Sequence, residues 1–162
     1  HNPSCYRRLK LFSAEAAEII GPRFAVMDLD TVIVGDLSPI LDRTEDFLIW
    51  GDTHPRTWYN GSFWMLTAGA RREVWDDFDP INSPRLSKAA GHFGSDQGWM
   101  SYRLGPNEMR LGKSDGVYSY RVHIEPKRGH LPDDAKLVMF HGKQDPWGTH
   151  AQRHEWVRRH YQ

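Results

Sequence analysis

Asp28 and Asp30 stand two residues apart at the end of an apolar run, Phe24-Ala25-Val26-Met27. On a strand, that spacing projects both side chains to the same side, with Cα atoms roughly 7 Å apart. Carboxylates so placed repel one another, and a sheet interior does not solvate them. A hard divalent cation relieves both problems, because Mg2+ and Mn2+ take oxygen ligands and can also hold a substrate's phosphates. The end of a buried strand is where open α/β sheets bind ligands. The plain alternative is a solvated strand-end turn with two ordinary surface acids.

The elements that must position this pair are legible as patterns. Ser13 to Ile20 reads as a short helix, with Ser13 as N-cap and Gly21-Pro22 as its stop. Phe24 to Met27 runs apolar without alternation, which predicts a strand buried on both faces, and Thr31 to Val34 continues it. Ser38 to Leu41 is a helical turn, and Phe47 to Trp50 and Phe63 to Leu66 are strands. A helix is expected near Arg71 to Phe78 and another over Ser95 to Leu104. Val117 to Ile124 and Leu137 to Phe140 look extended. Thr149 with Gln152 makes a capping box that opens a final helix bearing Trp156 and Val157. Strands mixed with helices make this an α/β protein.

Composition narrows the function classes. The 162 residues carry 21 Lys+Arg and 21 Asp+Glu, a zero formal charge that argues against a duplex nucleic-acid binder, which needs a basic face. Its length suits a single domain spanning 1–162, or a large piece of a bigger one, and it shows no repeat or linker. Cys5 is the one cysteine, which excludes disulfide scaffolding and suits a reducing, cytoplasmic compartment. No apolar stretch approaches the roughly 20 residues needed to span a bilayer. The start, His1-Asn2-Pro3-Ser4, has neither an initiator Met nor a secretory apolar run.

Two families resemble the Asp-x-Asp region. Asp28-x-Asp30-x-Val32 is similar to the opening motif of haloacid-dehalogenase-like phosphatases, which would make Asp28 a phosphoryl-accepting nucleophile. Thr31 stands where that family usually has Gly, and its later acidic pair would be Asp133-Asp134, without the expected Lys motif or Ser/Thr strand. The fit is poor. Met27 to Leu41 better resembles the Asp-x-Asp region of family-8 glycosyltransferases, retaining enzymes of the GT-A fold. Four further pieces follow that family's order: Tyr6-Arg7-Arg8-Leu9, Tyr59-Asn60-Gly61-Ser62-Phe63, Ser95-Asp96-Gln97-Gly98, and Phe140-His141-Gly142-Lys143 with Pro146-Trp147. Gly61 sits one place early, and Gln144 and Asp145 interrupt the last piece.

The resemblance implies a GT-A-like mixed sheet flanked by helices. Only about 27 residues precede Asp28, so the nucleotide-binding half of that fold is expected upstream, and the chain reads as the C-terminal part. It further implies that Asp28, Asp30 and His141 hold Mn2+ (or Mg2+), and that Arg8, Asn60, Gly61, Gly142, Lys143 and Trp147 bind substrate. Asp96 and Gln97 would face the reacting sugar as catalytic residues. The donor would be a nucleotide sugar, UDP being the family's usual carrier, and the acceptor a glycan, lipid or protein hydroxyl. The bland readings are a solvated loop for Lys143, backbone bonding for His141, a turn for Asn60 and a helix N-terminal acid for Asp96. Most of the seven Trp are expected in the core, with Trp99 and Trp147 as exceptions. His150 and His154, four apart, make a candidate metal pair without an evident third ligand. A non-catalytic, sugar-binding or interaction remnant is the third reading.

Overall fold

The computed structural model describes residues 5–161. In chain order it has a 3-10 helix (Cys5–Phe12), α1 (Ala16–Ile20), β1 (Arg23–Met27), β2 (Thr31–Ile33), α2 (Ser38–Leu41), β3 (Phe47–Gly51) and β4 (Tyr59–Thr67). Then come α3 (Glu73–Asp76), α4 (Asn82–Ala89), α5 (Asp96–Leu104), β5 (Arg110–Leu111), β6 (Val117–Ser119), β7 (Leu137–Met139) and α6 (Glu155–His160). The chain forms two compact units, one from the residues up to Val26 with Glu45–Arg110, the other from Met27–Thr44 with the residues from Leu111 onward.

The first unit is built on a sheet of order β1-β4-β3-β5. β3 and β4 pair antiparallel, Phe47 opposite Leu66 and Ile49 opposite Trp64, with an irregularity before Gly51 meets Tyr59. β4 is buried along nearly its whole length, as its unbroken apolar centre predicts. Phe12 stacks on Trp64 at 4.8 Å between ring centroids, tying the N-terminal 3-10 helix to the sheet. Trp99 is buried and donates its indole N–H to the Val74 carbonyl at 2.8 Å, joining α5 to α3. It is core, not a surface platform.

The second unit holds a sheet of order β2-β7-β6. β2 runs antiparallel to β7, with Thr31 opposite Met139, while β6 runs parallel to β7, with Ser119 opposite Met139. Its core gathers Val32, Val138, Phe140, Tyr120 and Val157, and the Tyr120 and Phe140 rings stack at 4.3 Å.

Several expectations hold and several do not. β3, β4, β7 and α5 lie where the patterns put them. The first helix begins at Ala16 and not at Ser13, which is buried and does not cap it. β1 is an edge strand with Ala25 and Met27 exposed, so it is not buried on both faces. Beyond Ser119 the chain leaves the extended form: Tyr120–Ile124 is a π-helical turn, because the Ser119 hydroxyl accepts from the Val122 N–H at 3.1 Å and caps it. Thr149 caps nothing that α6 uses; α6 starts at Glu155, and the Gln152 amide donates to the Pro146 carbonyl at 2.7 Å. α4, with two Ser, one Arg, one Lys and Leu86 as its one large apolar residue, carries no hydrophobic pattern.

Candidate functional site

In the first unit, three of the motif segments meet. Ser95 sits extended ahead of α5, and its hydroxyl accepts from the Gly98 N–H at 3.3 Å, which starts the helix and places Asp96 in its first turn. Asp96 is 6% exposed, and its Oδ2 lies 3.0 Å from Nε of Arg8 on the N-terminal 3-10 helix. Arg8 also donates from Nη1 to the Gly61 carbonyl on β4 at 2.7 Å. Gly61 gives close approach at this crossing: a Cβ there would stand 3.2 Å from Arg8 Nη1 and 3.3 Å from Asp96 Oδ2, a tight contact with both side chains. The result is a planar cation fixed against a buried carboxylate, a charge-assisted arrangement with defined orientation.

Around this pair, Gln97 reaches Asp52 Oδ2 at 3.4 Å, and Asp52 also accepts from the Thr57 hydroxyl. Asn60 is buried, and its Oδ1 accepts from the Ser62 N–H at 3.0 Å, so part of its amide holds a local turn. The thiol of Cys5 lies beside Asp96; partial burial of the sulfur, then the Asp96 carboxylate, raises its pKa above the ordinary thiol value. Burial, followed by Cys5 and Asp96, pushes the Tyr6 phenol up to about 12. Cys5, Asp52 and Thr57 escaped the sequence reading, since nothing local marks them; only the fold brings them here.

In the second unit, Asp28-Leu29-Asp30 is not on a strand. It forms a turn, closed by the Thr31 N–H donating to the Asp28 carbonyl at 3.2 Å. The correction follows from the residues: two half-buried carboxylates end the strand, and Leu29 between them is 89% exposed. The Phe140 N–H donates to the Asp30 carbonyl at 3.0 Å, which brings the segment before His141 alongside the turn. Nε2 of His141 is 2.7 Å from the Ser119 hydroxyl. Gly142 follows at φ 86°, a left-handed conformation suited to glycine, then exposed Lys143. Trp147 is 56% exposed, 6.1 Å from the Tyr161 ring. The carbonyl oxygen of the Gln144 side chain is buried and finds no hydrogen-bond donor among the described residues.

Solved structures with a similar architecture include three glycosyltransferases. The glycosyltransferase GlyE of Streptococcus pneumoniae TIGR4 superposes with a TM-score of 0.59 at 10% identity, covering 84% of this chain. The galactosyltransferase LgtC, solved with donor and acceptor sugar analogues, gives 0.57 at 14% identity and 94% coverage. The bifunctional glycosyltransferase WbbM gives 0.56 at 15% identity and 91% coverage. The chain shares its fold with glycosyltransferases. It spans 38%, 63% and 33% of those three chains respectively. No family model and no curated protein matches the sequence.

The donors available for a cation fit Mn2+ in kind. Two carboxylates and an imidazole lie at one end of β2 and β7, joined by the Asp30–Phe140 backbone bond, with an unsatisfied Gln144 carbonyl oxygen three residues beyond His141. Among the described residues no three His, Cys, Asp or Glu side chains stand converged as a metal-holding group. His150 and His154 do not make a second such site: His150 pairs with Glu125 at 2.8 Å, and Nε2 of His154 is 2.9 Å from the Tyr120 hydroxyl. Asp134, needed by the phosphatase reading, accepts from the Tyr118 hydroxyl at 2.8 Å. No helix among the described residues is long and apolar enough to cross a membrane.

Proposed function

We infer that this chain belongs to a metal-dependent, retaining glycosyltransferase of the family-8 kind, moving a hexose from a UDP-linked donor to an acceptor hydroxyl. The observation that supports it most is the Arg8–Asp96 pair over Gly61, in which three distant motif segments converge within a glycosyltransferase fold. Asp28, Asp30 and His141 would hold Mn2+, which supplies positive charge against the diphosphate leaving group. Lys143, on the exposed turn after His141, adds a second cation there. Arg8 orients the Asp96 carboxylate toward the sugar, and the Gln97 amide, tethered to Asp52, offers a donor to a sugar hydroxyl. Asn60 keeps its NH2 for the same purpose, since its Oδ1 is engaged by Ser62. The single Cys5 suits a cytoplasmic setting.

The test is release of UDP from UDP-glucose or UDP-galactose with Mn2+ present. Asp96→Asn removes a charge aimed at the reacting sugar and should lower the rate by about 100-fold or more. An unchanged rate in Asp96→Asn contradicts the assignment. Asp28-dependent hydrolysis of an aryl phosphate would instead favour the phosphatase reading.

A further inference from the structure

Apart from both clusters, the second unit carries a cleft of about 590 Å3 bounded by Gly129, His130, Arg153, His154, Trp156 and Arg159. That volume is in the range of small-molecule sites. In a chain whose charges balance at 21 and 21, the cleft is a local excess of cations, with Glu155 as the one acid lining it. Arg8, Arg43, Arg71, Arg72 and Arg103 are each paired with a carboxylate. Arg153 and Arg159 have no carboxylate within salt-bridge distance among the described residues, although Glu155 is four positions before Arg159. Arg153 donates Nε to the His150 carbonyl at 3.4 Å and turns Nη2 to the His150 ring, which leaves its Nη1 for a ligand, while Arg159 keeps a whole fork that matches an oxoanion.

The walls are built, not incidental. Trp156 donates its indole N–H to the Gly129 carbonyl at 2.9 Å, which fixes its ring. Gly129 has φ 79°, and a Cβ there would overlap the His154 ring, so glycine makes the room in which His154 bonds Tyr120. The electrostatics agree: burial first, then His150, Arg153 and Arg158, hold the His154 pKa below the ordinary histidine value. An indole offers an apolar wall to the C–H face of a sugar ring, and its neighbours offer donors to an anion.

We propose that this cleft binds an anionic saccharide, its phosphate or carboxylate held by Arg153 and Arg159 and its ring set against Trp156. The proposal stands independently of the transferase reading, because binding is measured without turnover. The experiment is calorimetric titration of the whole 162-residue chain with glucose 6-phosphate, glucuronate, glucose and inorganic phosphate. At least one anionic sugar should bind about tenfold or more tightly than glucose and than inorganic phosphate, the tighter of the two naming the anion. The double variant Arg153→Gln with Arg159→Gln, both at exposed positions, should lose about tenfold or more of that affinity. Equal binding of glucose, equal binding of inorganic phosphate, or unchanged affinity in the double variant overturns the proposal. The same variant should keep its stabilisation by UDP-sugar and Mn2+. In the unsubstituted protein, no preference for an anionic sugar with donor stabilisation intact sinks the cleft alone, whereas absence of donor stabilisation sinks the transferase reading.

Discussion

At the scale of single residues, the first unit's cluster depends on charge and close approach. Arg8 meets both the Gly61 carbonyl and the Asp96 carboxylate, and a side chain at position 61 would crowd both groups. The sole thiol reports on this contact. Asp96 raises the Cys5 pKa by its charge and by its side-chain hydrogen bond, while the Asp96 N–H, which asparagine retains, lowers it. Asp96→Asn should therefore lower the thiol pKa and speed its reaction with a disulfide reagent at pH 8, because thiolate is the reactive form. A rate unchanged or slower than the parent's would show that the carboxylate does not govern this thiol. With one cysteine in the chain, the signal belongs to Cys5 alone.

At the scale of elements, α5 carries Asp96 and Gln97 only because of how it packs. A Cβ at Gly98 would stand 2.0 Å from the Phe93 carbonyl oxygen and 3.0 Å from the Ser87 hydroxyl of α4. Backbone on that side has no freedom to swing away, so Gly98→Ala should destabilise by about 1–3 kcal/mol, as overpacking does. Chemical denaturation of the two proteins checks the figure; equal midpoints would mean that α4 and α5 are not packed as described. Residue identity set some elements and overrode others. β3 and β4 follow from apolar runs, and Ser95 marked the start of α5 correctly. Tyr120 to Ile124 contains good strand formers, yet the Ser119 hydroxyl turns them into a helical turn, a side-chain capping effect that period counting does not see. The Asp28–Asp30 turn has the same origin: the carboxylates that suggested chemistry are also what ended the strand.

At the scale of the whole molecule, solution pH acts through two histidines of the second unit. Burial, then the nearby Lys113 and Lys127, lowers the His123 pKa, and burial with cationic neighbours lowers that of His154. A histidine held below its unfolded pKa binds fewer protons folded than unfolded. Its contribution is therefore complete above about pH 6.5 and is lost as pH falls through the lower, folded pKa. Thermal unfolding between pH 7.5 and pH 5 should show stability declining on the acid side, less steeply in His154→Gln; an identical slope would contradict the assignment to His154. The meeting of Arg8, Gly61 and Asp96 was legible in sequence only as motif order, through the resemblance that linked them across the chain. Asp52 and Cys5, which carry no motif, joined them only through folding. The central claim is that this chain binds a nucleotide sugar through a divalent cation, and thermal unfolding with UDP-glucose or UDP-galactose, with and without Mn2+, tests it most directly. At about 100 times the dissociation constant, a ligand stabilises by about 2.7 kcal/mol. The account predicts stabilisation that requires both sugar nucleotide and Mn2+ and vanishes when Asp28→Ala is combined with Asp30→Ala. A melting temperature unmoved by the pair, or moved equally in that double variant, would contradict it.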